Sequence, residues 1–556
     1  MTDGPMELLR KAADVARGNR LGAAVGHRVY SAQVLLGTGA FAPVRPDKIA
    51  RAVWQLQRWS NTPAGAVAVG TITHPDQEMV IDELGSLTFA EIDRRTNALA
   101  RALAEGGVGP STNAAVMCRN HRYFIEATVA LSKLGANTLY LNTAFAGPQI
   151  AEVVEREQAG AIIYDSEFED LVGGALAGRN AYVAWDGDGA GGTGRTLEEM
   201  ITGGDDAPLT PPTSPGRVVI LTSGTTGTPK GATRSQPKNL DPAVAFLSRI
   251  PLKGHERMLV AAPLFHSWGF AHFSMGLVLS SSYILQRRFD PEATLAAVQK
   301  YRPTAMAVVP VMLQRIVQLP AKVRRKYDTS SLRVVGVSGS ALPGELATSF
   351  MDEFGDVLYN LYGSTEVAWV TIATPEDLRA APGTAGRPPQ GTQVRLFDGQ
   401  DREVEPGASG RIFVANEFLF EGYTGGGNKA SIDGLLSTGD VGRFDAGGRL
   451  FVEGRDDEMI VSGGENVFPG EVEDLLARHP GISEVAVVGV SDEEFGQRLK
   501  AYVVCKRGSK LTEAQVKTYV KSNLARFKVP REIEFLDELP RNSTGKILKR
   551  ELAKTP

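Results

Sequence analysis

Short apolar runs keep alternating with stretches of helical spacing, and this alternation restricts the fold more than any other feature of the chain. AAVMCRN, ATVALSKLGANTLYLN and AGAIIYDSE follow one another from residue 114 to 167, and the rhythm returns at RMLVAAPL (257–264), AMAVVP (305–310) and LRVVGVSGS (332–340). Such repetition is the mark of βαβ units with parallel strands. It predicts doubly wound α/β sheets through the first two thirds of the chain. Residues 87–106, LTFAEIDRRTNALARALAEG, place apolar positions at helical spacing behind Thr88 and end in glycine, which predicts a capped helix.

The pattern changes twice. Residues 202–216 (TGGDDAPLTPPTSPG) are dense in Pro, Gly and Asp and read as an exposed loop. From Gly383 to Asp445 short alternating segments are broken by turn residues, predicting a small β region, drawn as a β-barrel. Roughly 100 residues after Arg455 suffice for a further domain. With 556 residues the chain exceeds one hydrophobic core. The expected class is α/β: a large N-terminal domain of doubly wound sheets with the β-barrel region, then a small α+β C-terminal domain. The expected units are an extension over 1–80 packed on or contributing to the large domain, the large domain over 81–455, and the C-terminal domain over 456–556.

Composition excludes several classes. A net charge of −4 gives no field steering the whole chain to nucleic acid. The two cysteines, Cys118 and Cys505, lack ligand spacing, so neither a disulfide framework nor a zinc site is expected. The first 20 residues mix charges where a secretory leader needs an apolar run, so a cytoplasmic location is the expectation. The most apolar long segment, Trp268–Leu285, carries His272 and four serines and reads as a buried helix. Residues 41–58 place Ile49, Val53, Trp54 and Leu56 among basic residues. Packing against the large domain is the favoured reading there, and peripheral membrane contact the other.

RVVILTSGTTGTPKG, residues 217–231, runs an apolar strand into a Ser/Thr/Gly loop containing Lys230. Glycines let backbone N–H groups approach phosphate oxygens, hydroxyls add donors, and the lysine adds charge. The spacing differs from GxxxxGK[ST], so this is not the P-loop of ordinary NTPases. A flexible linker would have no reason to follow directly on a buried strand.

TSGTTGTPKG resembles the phosphate-loop signature of the adenylate-forming superfamily of acyl-CoA synthetases, luciferases and peptide-synthetase adenylation domains. The resemblance recurs in order at PLFHSWG (263–269), YGSTE (362–366), STGD (437–440), GRDDEMI (454–460) and NSTGK (542–546). It covers the chain from about residue 80 and lies nearest to fatty-acid-CoA ligases, the long-chain acyl-CoA synthetases. It makes 81–455 an AMP-binding domain and 456–556 a mobile one.

The resemblance implies a set of roles. Thr222, Ser223, Gly224, Thr225, Thr226, Gly227, Thr228 and Lys230 would cradle the ATP phosphates. Tyr362 offers a ring for adenine, with backbone groups of Gly339, Ser340 and Ala341 at its edge. Gly363 and Ser364 lead to Thr365, whose hydroxyl suits the α-phosphate, and Glu366, a candidate Mg²⁺ ligand with Thr225. Asp440 and Arg455 would take the ribose. Lys546 would reach the acyl carboxylate and α-phosphate, easing repulsion among anions while acyl-AMP forms. A rotation about Asp457 would then bring Gly463, Gly464 and Glu465 to the pantetheine of CoA. Lys521, alone a surface lysine, is a weaker candidate for a CoA phosphate.

His266 stands where amino-acid-activating relatives commonly place an aspartate, which favours an uncharged acyl chain. His266, Trp268, Phe270 and Trp369 are candidates for its pocket, and His266 is also a candidate catalytic residue beside Lys546, Thr365 and Glu366. The expected activity is ATP-dependent activation of a medium- or long-chain fatty acid and transfer to CoA. The alternatives are a fatty acyl-AMP ligase serving a carrier protein, or a CoA ligase for an aromatic or other small acid. A luciferase-like oxygenase is disfavoured by the Ala-Lys-Thr-Pro end, and a noncatalytic binder by the presence of Lys546 and Glu366. Expected partners are small molecules, not nucleic acid, in a monomer or homodimer.

Overall fold

The computed structural model describes residues 20–40, 45–187, 194–222, 230–234, 237, 239–456, 460–462, 465–467, 469–492, 496–542 and 545–554. The repeating apolar runs form two eight-stranded sheets. One is ordered Thr371–Ala373, Leu358–Tyr362, Val334–Val337, Ala305–Val308, Arg257–Val260, Ser282–Leu285, Glu78–Asp82, Gly85–Thr88. Its interior pairs are parallel and its two edge pairs antiparallel. In the other, strands Val218–Thr222, Asn137–Tyr140, Asn113–Met117, Ala159–Tyr164 and Asn180–Val183 run parallel, and Lys230–Arg234 turns back along Val218–Thr222. Near-continuous apolar strands suit sheets covered on both faces. A single large core cluster joins residues of both sheets, from Val116 and Ile163 to Leu259, Val308 and Val335.

Local signals act as read. Thr88 caps the helix Phe89–Glu105 in a capping box with Glu91. The segment expected as one buried helix over 268–285 divides instead: helix Ser267–Val278 ends, Ser280 takes a positive φ of 49°, and Ser282–Leu285 enters the sheet. The serines break the helix, and the run Tyr283–Leu285 suits a buried strand. Among the described residues no helix is long and apolar enough to cross a membrane.

Before residue 80, helix Pro46–Trp59 packs on Pro63–Thr73, which in turn lies against helices Phe89–Glu105 and Arg122–Leu134. The small β region is a five-stranded antiparallel sheet that includes Gln393–Phe397, Gly410–Ala415, Leu435–Phe444 and Leu450–Arg455. Gly422–Tyr423 leaves it to pair with Lys230–Arg234. After residue 460 a second five-stranded sheet builds its own core from Val472, Val487, Ala501 and Val516.

Candidate active site

Parallel sheets present loops at the carboxyl ends of their strands. His266 follows strand Arg257–Val260, Gly339–Ala341 follow Val334–Val337, and Tyr362 ends Leu358–Tyr362. These strands lie close together in one sheet, so three motifs distant in sequence share one rim. Gly339 has φ +102°, a backbone region that side chains rarely adopt, and this turns the chain sharply at the strand end.

Asp440 arrives from the β region and pairs across the ladder with Arg455. The Tyr362 hydroxyl donates to Asp440 Oδ2 at 2.5 Å, and Arg455 Nη1 donates to Oδ1 at 3.3 Å. Burial raises the Asp440 carboxyl above its ordinary range, opposed by the Tyr362 hydrogen bond and by Arg455, Lys546 and Lys429. Burial, reinforced by Asp440, pushes the Tyr362 phenol well above its usual value. Tyr362 thus keeps its proton and leaves its ring, not its hydroxyl, for a further partner.

Glu366 is almost wholly buried. Its Oε2 accepts from Ser364 at 2.9 Å and its Oε1 from the Tyr423 hydroxyl at 2.8 Å. One donor on each oxygen leaves lone pairs for a cation, so the carboxylate fits a hard metal ion such as Mg²⁺. Arg234 donates to the Thr365 carbonyl and lies over the Phe418 ring, with Glu366 close by. Burial lowers Arg234 to about 10 against that favourable charge. Lys230 sits over the Tyr423 ring, and Ser267 Oγ lies 3.3 Å from Thr365 Oγ1.

His266 precedes helix Ser267–Val278 and keeps part of its surface. Its imidazole is held down to about 4 by its crowded surroundings first and by Lys546 second. Gly545 packs against Val311, just after strand Ala305–Val308 of the same sheet, and the charge of the adjacent Lys546 acts on both His266 and Asp440. A tight turn presents it: Gly545 N donates to Asn542 O, Lys546 N to Asn542 Oδ1, and Arg541 Nη1 to Gly545 O. Gly545 has φ +79°, and a β-carbon there would come within 2.3 Å of Val311 Cγ1. Glycine is required for this approach on both counts.

The candidate acyl-pocket aromatics are more firmly packed than a gate would be. Trp268 is buried, donates its indole N–H to Val308 O at 2.9 Å and meets His272 edge-on at 4.3 Å. Phe270 packs on Tyr140 and Phe273. Trp369 donates to Thr392 and stacks on Phe418, beside a cavity of about 30 Å³ that has room for a water or two. Lys521 is exposed on helix Glu513–Asn523.

Ser223, Gly224, Thr225, Thr226, Gly227, Thr228, Asp457, Gly463 and Gly464 lie outside the described residues. Thr222 closes strand Val218–Thr222, and Glu465 opens strand Glu465–Val467. Sequence reasoning passed over Arg234 and Tyr423. Strand alternation places Arg234 on the face of Lys230, a signal that was available. Nothing local to Tyr423 marks it as a partner of Glu366. A buried trio, Cys118, His121 and Asp165, has ligand-type atoms within 4.8 Å of one another. Both imidazole nitrogens and both carboxylate oxygens there already have partners.

Residues 71–424 match the AMP-binding enzyme family, and residues 471–546 match the AMP-binding enzyme C-terminal domain. Feruloyl-CoA synthase of Amycolatopsis sp is 35% identical over 84% of this chain and 93% of its own length. Indoleacetate–CoA ligase of Aromatoleum aromaticum is 32% identical over 89% and 97%. Among solved structures, o-succinylbenzoate CoA synthetase of Bacillus subtilis, in complex with its acyl-adenylate intermediate, superposes with a TM-score of 0.76 at 25% identity, covering 88% of this chain and 98% of that one. With both parts matched in order and a relative 35% identical along most of its length, the chain belongs to the AMP-binding enzyme family, within the adenylate-forming superfamily.

Proposed function

We propose that this chain is an ATP-dependent acid–CoA ligase that adenylates a ring-bearing carboxylic acid, aromatic or fused-ring, and then passes the acyl group to CoA. The observation that carries this reading is the docking of Gly545 on Val311, beside the rim of His266 and Tyr362, which brings Lys546, 91 residues beyond Arg455, near enough for its charge to act on His266 and Asp440. Carboxylate, α-phosphate and leaving pyrophosphate are all anionic, so forcing them together needs a fixed cation in a poorly hydrated place. The acid's carboxylate attacks the α-phosphorus, the bond to pyrophosphate breaks, and acyl-AMP remains. The CoA thiol then attacks the acyl carbon and AMP leaves.

In this reading Tyr362 stacks on adenine while its hydroxyl holds Asp440 toward the ribose. Thr365 hydrogen-bonds the α-phosphate, and Arg234 fixes the Thr365 carbonyl from behind. Glu366, with Thr225, would hold Mg²⁺, which when bound offsets triphosphate charge. Lys546 withdraws for the second step by rotation about Asp457, which brings Gly463, Gly464 and Glu465 to the thiol arm.

The choice of acid departs from the fatty-acid reading toward its aromatic alternative. The relatives named above are a feruloyl-CoA synthase, an indoleacetate ligase and an o-succinylbenzoate synthetase, and a Rhodococcus jostii relative, 31% identical, is a ligase for a fused-ring propanoate. His266 is a neutral imidazole at neutral pH, with no carboxylate there to hold a substrate ammonium. An ATP/pyrophosphate exchange panel of ferulate, indoleacetate, succinylbenzoate, acetate, octanoate and palmitate, with and without CoA, tests this. Ring acids are expected to exceed straight chains by about tenfold or more in kcat/KM. Palmitate as the best acid restores the fatty-acid reading, and no exchange with any acid overturns the ligase.

A further inference from the structure

Among the described residues eight large apolar side chains are exposed, and four of them stand on one helix, Pro46–Trp59. Ile49, Val53, Trp54 and Leu56 keep 50%, 49%, 53% and 41% of their surface. The family match begins only at residue 71, so the helix lies outside it.

The geometry divides the helix cleanly. Lys48, Ala52, Gln55 and Trp59, spaced four, three and four, form the face turned inward, and Lys48 Nζ donates to Thr73 O at 3.1 Å. One residue further round, Ile49, Val53 and Leu56 repeat that spacing in solvent, an apolar stripe that intramolecular packing leaves open. Past Gln57 and Ala50 comes Trp54, and then, on the flank opposite the stripe, Arg58 and Arg51, with the Arg58 guanidinium 4.4 Å over the Trp54 ring. Arg45 stands at the helix start. The only carboxylate is Asp47, already paired with Arg45 at 3.0 Å. The chain as a whole carries −4, so this cationic border is local and not a consequence of a basic protein.

We propose that this helix docks the enzyme reversibly on an anionic lipid surface. An exposed helix face with an apolar stripe on one flank and a tryptophan and arginines on the other matches a bilayer interface, where the stripe enters the acyl boundary, the indole sits at headgroup level and the cations meet lipid phosphates. Charge selects this occupant over a second copy: the helix carries several cations and one carboxylate, Asp47, already paired with Arg45, so an anionic surface complements it while a second copy brings the same excess of positive charge. The helix lies on the surface and does not span it.

The test uses the full chain and vesicles of phosphatidylcholine with or without phosphatidylglycerol. Trp59, Trp185, Trp268 and Trp369 are all buried to 8% exposure or less, so tryptophan emission on binding reports Trp54. A blue shift and co-sedimentation are expected with anionic vesicles, weakened by salt and about tenfold weaker in both Ile49→Ser/Val53→Ser and Arg51→Glu/Arg58→Glu. Trp54→Phe should lose the blue shift while still sedimenting. All these positions are exposed, and wild-type fluorescence alone decides if a variant fails to fold. Absence of binding, or equal salt-insensitive binding to neutral vesicles, overturns the proposal. A concentration-dependent dimer in light scattering that Val53→Ser abolishes also overturns it, in favour of a second copy.

Discussion

The rim on the large body and the turn that brings Lys546 to it are held by different means. Tyr362, His266 and Gly339 stand at strand ends whose strands are locked by parallel ladders over the main core, and Asp440 is fixed by two side-chain donors. The Lys546 turn belongs to a unit with its own core. Among the described residues this unit meets the body near Lys546 along one helix, Pro310–Gln318. Val311 faces Gly545, and Gln314 and Gln318 make long bonds of 3.4 and 3.5 Å to Ser483. Val311, Gln314 and Gln318 share one helical face. A second contact lies close to the connection, where Gly470 approaches Glu453. The half of the site on the large body is held by strand ladders and the main core, and the half that the proposed second step would withdraw is docked by shape and long bonds.

The largest break in this arrangement is Lys546→Ala. It should lower ATP/pyrophosphate exchange by about a thousandfold, roughly 4 kcal/mol of charge stabilisation, while sparing thioester formation from supplied acyl-AMP. Equal loss in both assays would show that the lysine serves the whole site, not one step.

Acid should act on the rigid side. His272 is fully buried with its imidazole held down to about 4, by burial first, slightly opposed by its hydrogen bond to Trp268 O. The unfolded chain takes up this proton near 6.5, so between 6.5 and 4 the unfolded state binds more protons and stability falls as pH falls. Going from pH 7 to 5 should cost on the order of 2 kcal/mol through this residue, read from denaturant midpoints. His272→Leu should flatten that dependence whatever its stability at pH 7, and an unchanged slope would count against it.

The docking contact can be tested by shape. Gly545→Ala places a methyl against Val311 at a positive φ, and exchange should fall about tenfold with the thioester step unaffected. Adding Val311→Ala should recover part of the loss. No recovery would assign the whole effect to backbone strain.

Tyr362→Phe is expected to have the smallest effect. It keeps the ring but leaves Asp440 Oδ2 without its donor, and should raise the KM for ATP about threefold with little change in kcat. An equal loss in kcat would mean that the hydroxyl, not only the ring, serves the reaction.

The legible part of the site was the part written in contiguous residues. The YGSTE run marked Tyr362, Thr365 and Glu366, and the ordered motifs of the resemblance marked Gly339 and Asp440. Arg234 was half legible, since strand alternation aligns it with Lys230, but its reach to Thr365 O crosses 131 positions. Tyr423 was not legible, because the strand Gly422–Tyr423 joins the phosphate-loop sheet only after the chain has crossed the β region. The one misread element, Trp268–Leu285, shows where a periodicity argument fails. A segment this apolar gives no clear face to count, and the run Ser280–Ser282 marks the break between helix and strand.

The order of strands and helices, the capped helix at Phe89, the superfamily and the identity of the charged groups follow from the sequence alone, because each rests on neighbours within about a turn or a strand. Which of those groups meet was decided by tertiary structure. The pairing of Tyr362 with Asp440, the packing of Gly545 on Val311, the depressed imidazole of His266 and the bare apolar stripe of Pro46–Trp59 each depend on surfaces brought together from far along the chain. Burial and electric field are properties of that assembled volume, and local patterning does not contain them.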